Sequence, residues 1–324
     1  MNGSHFCTVS VIVPNFNHGA FLNERINSIL EQKFQDFEIV LLDDCSSDGS
    51  EKIIEKYRNH PKVSGIVVNK RNSGSVFRQW EKGISLAKGE FIWIAESDDV
   101  ADPDFLVTTY EVLRRDNLIC FAYTDSYQIN GNGECAADTL ADVRNRLFQT
   151  DKWSSSYIVD GLGELQDILA YHCSVNNVSS VLFRAKALRA AMPFDPRLRY
   201  IGDWHCYIKL CKLGKLAYIN RPLNYYRQHD SNSSRHLWRA SEFILEYFVL
   251  FNWLQKELPS LPKKKLKRAL VGYIQHTPFR NISVQRFKLY LKLARINFRL
   301  LAAIWCKNIA IALRFKLSGK RFHP

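Results

Sequence analysis

The sequence predicts an α/β fold in which a mostly parallel sheet is flanked by helices and followed by a basic helical region. Two observations support this fold class. In residues 1–125, short runs rich in β-branched residues alternate with segments of helical spacing. This β-α-β-α-β order is typical of a parallel sheet covered on both faces. Residues 258–324 hold 16 of the 45 Lys and Arg residues and no Asp or Glu, so the positive charge lies in the last part of the chain.

The individual elements follow from this alternation. The predicted strands are TVSVIV (8–13), FEIVLL (37–42), VSGIVV (63–68), EFIWIA (90–95) and LICFAY (118–123). The predicted helices lie between them, at 19–32, 47–59, 75–88 and 103–115. Because ligands of parallel sheets gather beyond the carboxyl ends of the strands, the segments after these strands are where a functional site is expected.

Those segments are polar, and two of them are acidic. They read PNFNHG after the first strand, DDCSSDGS after the second, NKRNSGS after the third and ESDD after the fourth. No G-x-G-x-x-G follows the first strand and no G-x-x-x-x-G-K-[ST] occurs, which excludes the usual dinucleotide and P-loop sites. Three carboxylates within residues 96–99 repel one another unless a cation neutralises them. A phosphate bound here is therefore expected to be held by a metal ion and basic side chains.

The composition is that of an ordinary globular chain. Its 324 residues are 46% hydrophobic, enough for one large domain or two, and the net charge is +13. The cysteines form no C-x-x-C pair, which fits reduced thiols better than a disulfide framework or a zinc site. No signal peptide and no run of about 18 uncharged apolar residues is found. We expect a cytoplasmic protein without a membrane span.

Three longer segments resemble a known family. They are VSVIVPNFNHGAFLNERINSILEQKFQDFEIVLLDDCSSDGS, NSGSVFRQWEKGISLAKGEFIWIAESDDVADPDFL and GDWHCYIKLCKLGKLAYINRPLNYYRQHDSNSS. In content and order they are similar to the family 2 glycosyltransferases, which have the GT-A fold, a Rossmann-type sheet flanked by helices. The resemblance covers about residues 8–234 and rests on four motifs in the right order.

The resemblance implies a domain organisation. Residues 1–234 would form a GT-A glycosyltransferase domain, with a nucleotide-sugar-binding half at 1–124 and an acceptor-side half at 125–234. Residues 235–324, where the resemblance stops, would form a basic amphipathic helical region.

The resemblance also implies a metal site after the fourth strand. The D-x-D motif of the family corresponds here to Glu96-Ser97-Asp98-Asp99, so either Asp98 or Asp99 would ligate a divalent ion bridging two phosphate oxygens. Glu96 and Asp98 would also contact the nucleotide. Carboxylate ligands suit Mn²⁺ or Mg²⁺, and His229, the implied further ligand, would favour Mn²⁺.

The same resemblance places the nucleotide beside the first two strands. Asp44 would accept a hydrogen bond from the base, usually uracil or a close relative, and Pro14, Asn15 and Phe16 would line its other side. Arg78 would point towards the nucleotide, and a solvated position on its helix is the alternative.

Structural roles remain open for several residues of the polar segments. Asp102 and Asp104 can form an acidic helix start, with Pro103 opening the helix. Ser46 or Ser47 can cap the helix predicted after the second strand.

In the second half, the resemblance implies a catalytic base at Asp203, which would take the proton of the acceptor hydroxyl. The alternative for Asp203 is a helix N-cap. Trp204 and His205 are candidates for acceptor contacts, and Arg227 for neutralising the diphosphate leaving group. A structural loop position is the alternative for His229.

The basic region predicts an amphipathic helix. Four basic residues share one helix face, and apolar residues fall on the other. The basic residues are Lys288, Lys292, Arg295 and Arg299, and the apolar ones are Tyr290, Leu293, Leu300, Leu301 and Ile304. Such a helix can lie in an anionic membrane interface, and packing on the catalytic domain is the alternative. No nucleic-acid-binding module accompanies it, so no nucleic acid partner is expected.

Together these features predict an inverting, metal-dependent hexosyl- or deoxyhexosyltransferase. It would transfer the sugar of a UDP- or dTDP-sugar to a hydroxyl of a cell-surface glycan or a lipid-linked acceptor. It would be cytoplasmic and bound peripherally to the cytoplasmic face of the membrane. A catalytically silent nucleotide-sugar-binding protein is one alternative, which the intact Asp203 and 96–99 cluster argue against. A nucleotidyltransferase is another, but its glycine-rich phosphate loop is missing after the first strand.

Overall fold

The computed structural model of the protein describes residues 7–230, 243–275, 292–299 and 301–302. Its strands are β1 Val9–Asn15, β2 Phe37–Asp43, β3 Val63–Val68, β4 Phe91–Ile94, β5 Val100–Ala101, β6 Ile119–Asn130, β7 Cys135–Thr139, β8 Tyr157–Asp160, β9 Val181–Arg184 and β10 Lys215–Gln228. Its helices are α1 Gly19–Leu30, α2 Ser50–Glu55, α3 Val76–Leu86, α4 Phe105–Leu113, α5 Leu140–Phe148, α6 Gly161–Glu164, α7 Ala185–Ala190, α8 Gly202–Cys211, α9 Phe243–Glu257, α10 Lys263–Gln275 and α11, residues 292–299. Short helical turns lie at Lys152–Ser154, Leu165–Leu169 and Val178–Ser180.

The strands form one sheet in the order β3-β2-β1-β4-β9-β6-β10-β5, with β7 paired to β6 and β8 to β10. The first four pair in parallel, which confirms the prediction for the amino-terminal half. The other half is mixed, because β9 runs antiparallel between β4 and β6. The fifth predicted strand, β6, is therefore one strand removed from β4.

The helices cover both faces of the sheet because the side chains of each strand alternate. Val9, Val11 and Val13 pack with the buried faces of α1 and α4. Ile12 points the other way, into the layer of α3. A strand buried on both faces reads as a continuous apolar run, which is why β1, β2 and β4 were recognisable in the sequence.

The α9 and α10 helices share a buried core with α8. Phe248, Phe251 and Leu270 lie in one buried cluster with Trp204 of α8. The proposed division of the chain at residue 234 stays a prediction, but the helices that follow share a core with those that precede it.

In α11, the described residues are amphipathic and packed on the rest of the protein. Leu293 is 2% exposed and lies in the main core, and Asn297 Nδ2 donates to Asn252 Oδ1 of α9 at 2.8 Å. Lys292, Arg295 and Arg299 are exposed. These contacts agree with the alternative prediction, in which the basic carboxy-terminal region packs on the rest of the protein. The other residues of the predicted pattern, Lys288, Tyr290, Leu300 and Ile304, lie outside the described residues.

In the part of the chain that the structure describes, no helix has the length and apolar character needed to cross a lipid bilayer.

Candidate active site

The ends of β1 and β2 meet at one edge of the sheet, as the parallel order predicted. The register pairs Asn15 with Asp43, and Asn15 Nδ2 donates to Asp43 Oδ1 at 2.8 Å. The backbone N–H of Ser46 donates to the other oxygen of Asp43 at 2.8 Å. Asp43 therefore ties the end of β1 to the loop after β2.

Asp44 organises the loop before α3. Its Oδ1 accepts hydrogen bonds from Asn69 Nδ2 at 2.7 Å and Gln79 Nε2 at 2.8 Å. Its Oδ2 accepts from Ser73 Oγ at 2.7 Å and Ser73 N at 3.0 Å. The residue is only 4% exposed. In this structure its carboxylate thus holds segment 69–79, and its contact with a nucleotide base stays a prediction.

The loop after β2 keeps a glycine-like conformation at Cys45. Its φ is +64°, in the left-handed region that costs a non-glycine residue about 1–2 kcal/mol.

The prediction that Ser46 or Ser47 caps the next helix is wrong. That helix, α2, begins at Ser50 with Gly49 as its N-cap, and no side chain caps it.

The acidic segment after β4 points its carboxylates in different directions. Glu96 accepts a hydrogen bond from the indole of the buried Trp80 at 2.8 Å. Asp99 is buried, with Oδ1 accepting from the backbone N–H of Arg227 at 2.9 Å and Oδ2 from Asn177 Nδ2 at 2.9 Å. Both oxygens of Asp99 are thus directed into the fold.

Asp98 instead faces two histidines. His229 Nε2 lies 3.1 Å from Asp98 Oδ2, and His18 Nδ1 lies 4.0 Å from the same oxygen. One ligand atom from each of the three residues lies within 4.8 Å of the other two. Ser97 Oγ, 2.9 Å from His18 Nδ1, fixes the ring of His18. Two imidazoles and one carboxylate form a ligand set that suits a divalent transition-metal ion better than Mg²⁺.

His18 is the ligand candidate that the sequence interpretation missed. The available signal was its place in PNFNHG, directly after the first strand, at the edge where ligands of parallel sheets collect. The interpretation used Pro14, Asn15 and Phe16 of that segment and stopped before the histidine.

The acidic cluster carries more negative charge than its surroundings balance. Burial and the charge of Asp98 raise the pKa of Glu96 to about 8, and the same two causes raise the pKa of Asp99 to about 6. Burial also raises the pKa of Asp98, but the hydrogen bond from His229 and the histidine charges outweigh it, so the net direction is downward. Arg25, buried over the ring of Trp93, has no hydrogen-bond acceptor among the described residues. A bound cation would relieve the remaining repulsion.

Asp203 is the second residue of α8 and lies in its first turn. The N-cap of α8 is Ile201, so the alternative prediction that Asp203 is the N-cap is wrong. Asp203 Oδ1 accepts from the backbone N–H of Trp204 at 2.7 Å. Burial raises the pKa of Asp203 to about 6. A carboxylate with this pKa is ionised at neutral pH and close enough to it to act as a general base.

Two contacts fix the start of α8. Glu246 of α9 accepts from the backbone N–H groups of Tyr200 at 2.7 Å and Ile201 at 3.0 Å. A Cβ on Gly202 would lie 2.5 Å from the ring of Phe77 in α3, so only glycine allows this approach. The position of Asp203 therefore depends on helices from both ends of the chain.

Two adjoining cavities bring these residues together. The acidic cavity is lined by His18, Val76, Phe77, Trp80, Glu96, Asp98, Asp99, Asn176, Asn177, Val178, Arg199, Tyr200, Asp203 and Tyr226. The outer cavity, of about 420 Å³, is lined by residues 73–75, Phe77, Arg78, Glu81, residues 193–196 and Arg199. Because Phe77 and Arg199 line both, the two cavities form one cleft. It is large enough for a small ligand with an anionic and an apolar part.

Comparisons with known proteins identify relatives of this chain. Residues 10–160 match the family model described as glycosyl transferase family 2. Residues 10–160 therefore form a glycosyl transferase family 2 domain. Glycosyltransferase GlyG of Streptococcus pneumoniae is 30% identical over 162 residues, which cover 47% of this chain and 54% of GlyG. The chain thus spans about half the length of that family 2 relative.

Solved structures share the fold over nearly the whole chain. The crystal structure of S. aureus TarS 1-349 in complex with UDP-GlcNAc has a TM-score of 0.69 at 17% identity, over 98% of this chain and 93% of that one. The mannosyltransferase PcManGT from Pyrobaculum calidifontis, in complex with GDP-Man and Mn²⁺, has a TM-score of 0.58 at 16% identity, over 96% and 81%. At these identities the likeness shows the fold, which confirms the predicted GT-A-like class.

Three predicted contact residues of the family 2 site are used by the fold itself. Arg227 is 2% exposed, and its guanidinium donates to Asp98 O at 2.8 Å and to Glu24 Oε2 at 2.6 Å. His205 packs edge to face on Trp253, with ring centroids 4.4 Å apart, and lines neither cavity. The structure therefore does not bring Arg227 or His205 to the lining of the cleft. Trp204 is also buried, and its indole Nε1 donates a hydrogen bond to the backbone O of Leu169, at the end of the helical turn Leu165–Leu169.

Among the remaining predicted residues, the cleft is lined by Arg78 but not by Pro14, Asn15, Phe16 or Asp44. Arg78 is exposed, lines the outer cavity and donates to Ser73 O at 2.9 Å. Phe16 is 43% exposed after β1, whereas Pro14 is buried within it. The predicted acidic helix start is wrong in detail, because α4 begins at Phe105 with no acidic residue in its first turn, and the side chain of its N-cap Asp104 makes no capping hydrogen bond. Asp104 instead pairs with Lys33 at 2.8 Å. Besides His18, sequence interpretation missed the lining residues Arg199, Tyr200 and Tyr226.

Proposed function

We propose that the protein is a metal-dependent, inverting glycosyltransferase that moves a sugar from a nucleotide diphosphate to a hydroxyl group. The observation that carries the proposal is that Asp203 and the acidic residues Glu96 and Asp98 line one cavity. A group that removes a proton and a group that can hold a metal-bound diphosphate are thus on one cleft. Family membership and the TarS structure, which contains UDP-GlcNAc, support this assignment.

In the proposed reaction, Asp203 takes the proton of the acceptor hydroxyl as its oxygen forms a bond to the anomeric carbon of the sugar. The bond from that carbon to the diphosphate oxygen breaks, and the nucleotide diphosphate leaves with the bonding electrons. Attack opposite the leaving group inverts the anomeric configuration. The raised pKa of Asp203, about 6, supports the role of base because the proton transfer is then more favourable than to an ordinary aspartate.

His18, Asp98 and His229 would hold the metal ion. Their ligand atoms are already within 4.8 Å of one another, and burial lowers the pKa of His18, which favours the neutral imidazole that a metal requires. When bound, a divalent ion supplies Lewis-acid stabilisation of the negative charge on the departing diphosphate. The Mn²⁺ in the PcManGT structure supports the choice of Mn²⁺ over Mg²⁺.

The donor is proposed to be a UDP- or dTDP-sugar, giving a hexosyl- or deoxyhexosyltransferase. The base would lie between Asp44 and the segment Pro14-Asn15-Phe16, with Arg78 of the outer cavity near the nucleotide. The exposed ring of Phe16 supports this arrangement, since it can cover a flat base.

The donor proposal is tested by thermal shift of the full chain against nucleotides and nucleotide sugars with Mn²⁺ present. A ligand of the native state raises the apparent melting temperature. We expect a rise with UDP, dTDP and one of their sugars, and a smaller one with UMP, which lacks the second phosphate. No rise with any nucleoside diphosphate would contradict the proposed function.

We also propose that the acceptor is a cell-surface glycan or a lipid-linked sugar, and that the enzyme works peripherally on the cytoplasmic face of the membrane. Exposed Lys292, Arg295 and Arg299 support this, since each basic residue near an anionic leaflet contributes about 1 kcal/mol. The full chain should then sediment with vesicles containing phosphatidylserine, and less so as salt rises. Sedimentation that is unchanged by the triple exchange of these residues to Glu would contradict the membrane proposal.

A further inference from the structure

A third cavity adjoins the acidic cavity at Asp203. This tyrosine cavity shares Asn176, Tyr200, Asp203 and Tyr226 with the acidic cavity. It is lined by Cys173, Val175, Asn176, Tyr200, Ile201, Asp203, Trp204, Tyr226, Tyr247 and Tyr273. Asp203 therefore stands between a place for the donor and a separate space of about 330 Å³.

The tyrosine cavity has the chemistry of a sugar subsite. Tyr247 and Tyr273 stack, with ring centroids 4.2 Å apart and 20° between their planes. Tyr273 also shares a hydrogen bond with His172 Nδ1 at 3.1 Å, so its ring is held in place. Aromatic rings offer flat apolar surface together with polar hydroxyls, which suits the faces and hydroxyl groups of a sugar ring.

A fourth cavity, the basic groove, extends from the tyrosine cavity between α5 and α10. It shares Cys173, Asn176 and Tyr273 with the tyrosine cavity and measures about 630 Å³. Its other lining residues are Val143, Arg144, Leu147, Phe148, Tyr171, His172, Lys265, Arg268, Ala269 and Gly272. It thus contains three cationic residues and no Asp or Glu.

Two of these cations have no balancing carboxylate. Arg144 is paired with the buried Asp125 at 3.3 Å. Lys265 Nζ donates to the backbone O of Asp167 at 2.7 Å and lies 4.1 Å from the ring centre of Tyr171. Within the described part of the chain, neither Lys265 nor Arg268 forms an ion pair. Both are exposed along the groove.

We propose that the tyrosine cavity and the basic groove bind the acceptor, and that the acceptor is an anionic glycan whose negative groups lie against Lys265 and Arg268. This inference rests on the proposed function, because it takes Asp203 as the base for the hydroxyl that is glycosylated. The hydroxyl-bearing sugar lies among the tyrosines beside Asp203, and the rest of the chain continues along α10. Phosphate and carboxylate groups share the required charge.

Gly272 provides a steric test of the same groove. It lies on the groove face of α10, and a Cβ at this position would have no heavy atom within 4 Å. Gly272→Ala should therefore fit and, because alanine favours a helix, raise the melting temperature. Gly272→Phe should fit the helix as well but fill part of the groove.

The experiment measures binding of three oligomers of similar length to the full chain by calorimetry, with Mn²⁺ and UDP present. The probes are a glycerol phosphate oligomer, a hyaluronan oligosaccharide, which carries carboxylates, and a neutral chitin oligosaccharide. We expect an anionic probe to bind more tightly than the neutral one, and the two anionic probes to identify phosphate or carboxylate as the preferred group. The double exchange Lys265→Gln and Arg268→Gln should weaken that binding by about tenfold or more. Gly272→Phe should also weaken it, and Gly272→Ala should not.

The matched control is Lys263→Gln with Lys264→Gln, two exposed residues of α10 outside the groove. This control changes the net charge equally and should leave binding unchanged. Equal weakening by both double variants, equal binding of the neutral probe, or binding to anionic vesicles but to neither anionic oligomer would overturn the inference. The melting-temperature rise with UDP should persist in all groove variants. If UDP does not raise the melting temperature of the unmodified protein, the proposed function itself is contradicted.

Discussion

Asp203→Asn is expected to lower the turnover of sugar transfer by at least about 10²-fold, because the amide cannot take the proton of the acceptor hydroxyl. The substitution keeps the shape of the side chain and the acceptor for the Trp204 N–H, which Asp203 binds at 2.7 Å. Donor affinity should change little. Steady-state kinetics with the donor found by thermal shift measures both effects. Near-normal turnover would reduce Asp203 to a structural residue of α8.

The pH dependence of activity gives a second readout of the same residue. With a pKa of about 6, Asp203 is protonated and inactive as a base at lower pH, so kcat/KM should fall below about pH 6. Any residual activity of Asp203→Asn should lack this acid limb. Asp203→Glu, which retains a carboxylate but moves it, should keep the limb at reduced turnover.

Stability should respond to Asp203→Asn in the opposite direction from activity. Burial raises the folded-state pKa of Asp203 above its unfolded value, so the folded protein binds the proton more tightly. The ionised side chain therefore destabilises the fold at pH values above about 6, and this effect disappears below the unfolded pKa near 4. The variant should melt at a higher temperature than the unmodified protein at pH 7.5 and at a similar temperature at pH 4. An equal difference at both pH values would show that packing, and not charge, is responsible.

Removal of the metal is expected to abolish transfer and donor hydrolysis. EDTA should stop both reactions, and Mn²⁺ should restore them more effectively than Mg²⁺ because two of the three candidate ligands are imidazoles. Asp98→Asn and His18→Ala should each weaken Mn²⁺ binding by at least about tenfold. Electron paramagnetic resonance of added Mn²⁺ measures binding without relying on activity. Full activity in chelator would contradict the metal assignment.

Two further variants make this experiment specific. Asp99→Asn should weaken Mn²⁺ binding less than Asp98→Asn, since both Asp99 oxygens accept hydrogen bonds from the protein. Asp104→Asn is the control, because Asp104 pairs with Lys33 and Arg221 outside the cluster. If Asp99→Asn has the larger effect, Asp99 is the ligand and must turn from Asn177 when the ion binds.

The sequence alone determined the amino-terminal half of the sheet and the place of its site. Strands buried on both faces are continuous apolar runs, and their alternation with helical segments requires parallel pairing. Parallel pairing brings the polar segments after β1, β2 and β4 to one edge, whatever the rest of the chain does. The acidic cluster with Glu96 and Asp98 was found in this way, whereas the role of Asp203 was implied by the family resemblance.

Only the tertiary structure decided which side chains meet. His18 and His229 lie far apart in the sequence and converge on Asp98, whereas Asp99, the neighbour of Asp98 in sequence, turns inward to Asn177. The position of Asp203 depends on Glu246 of α9, beyond the region that resembles the family. Such contacts join residues far apart in the chain. They are determined by burial and by the need of buried polar groups for hydrogen-bond partners, and local periodicity does not encode either of these.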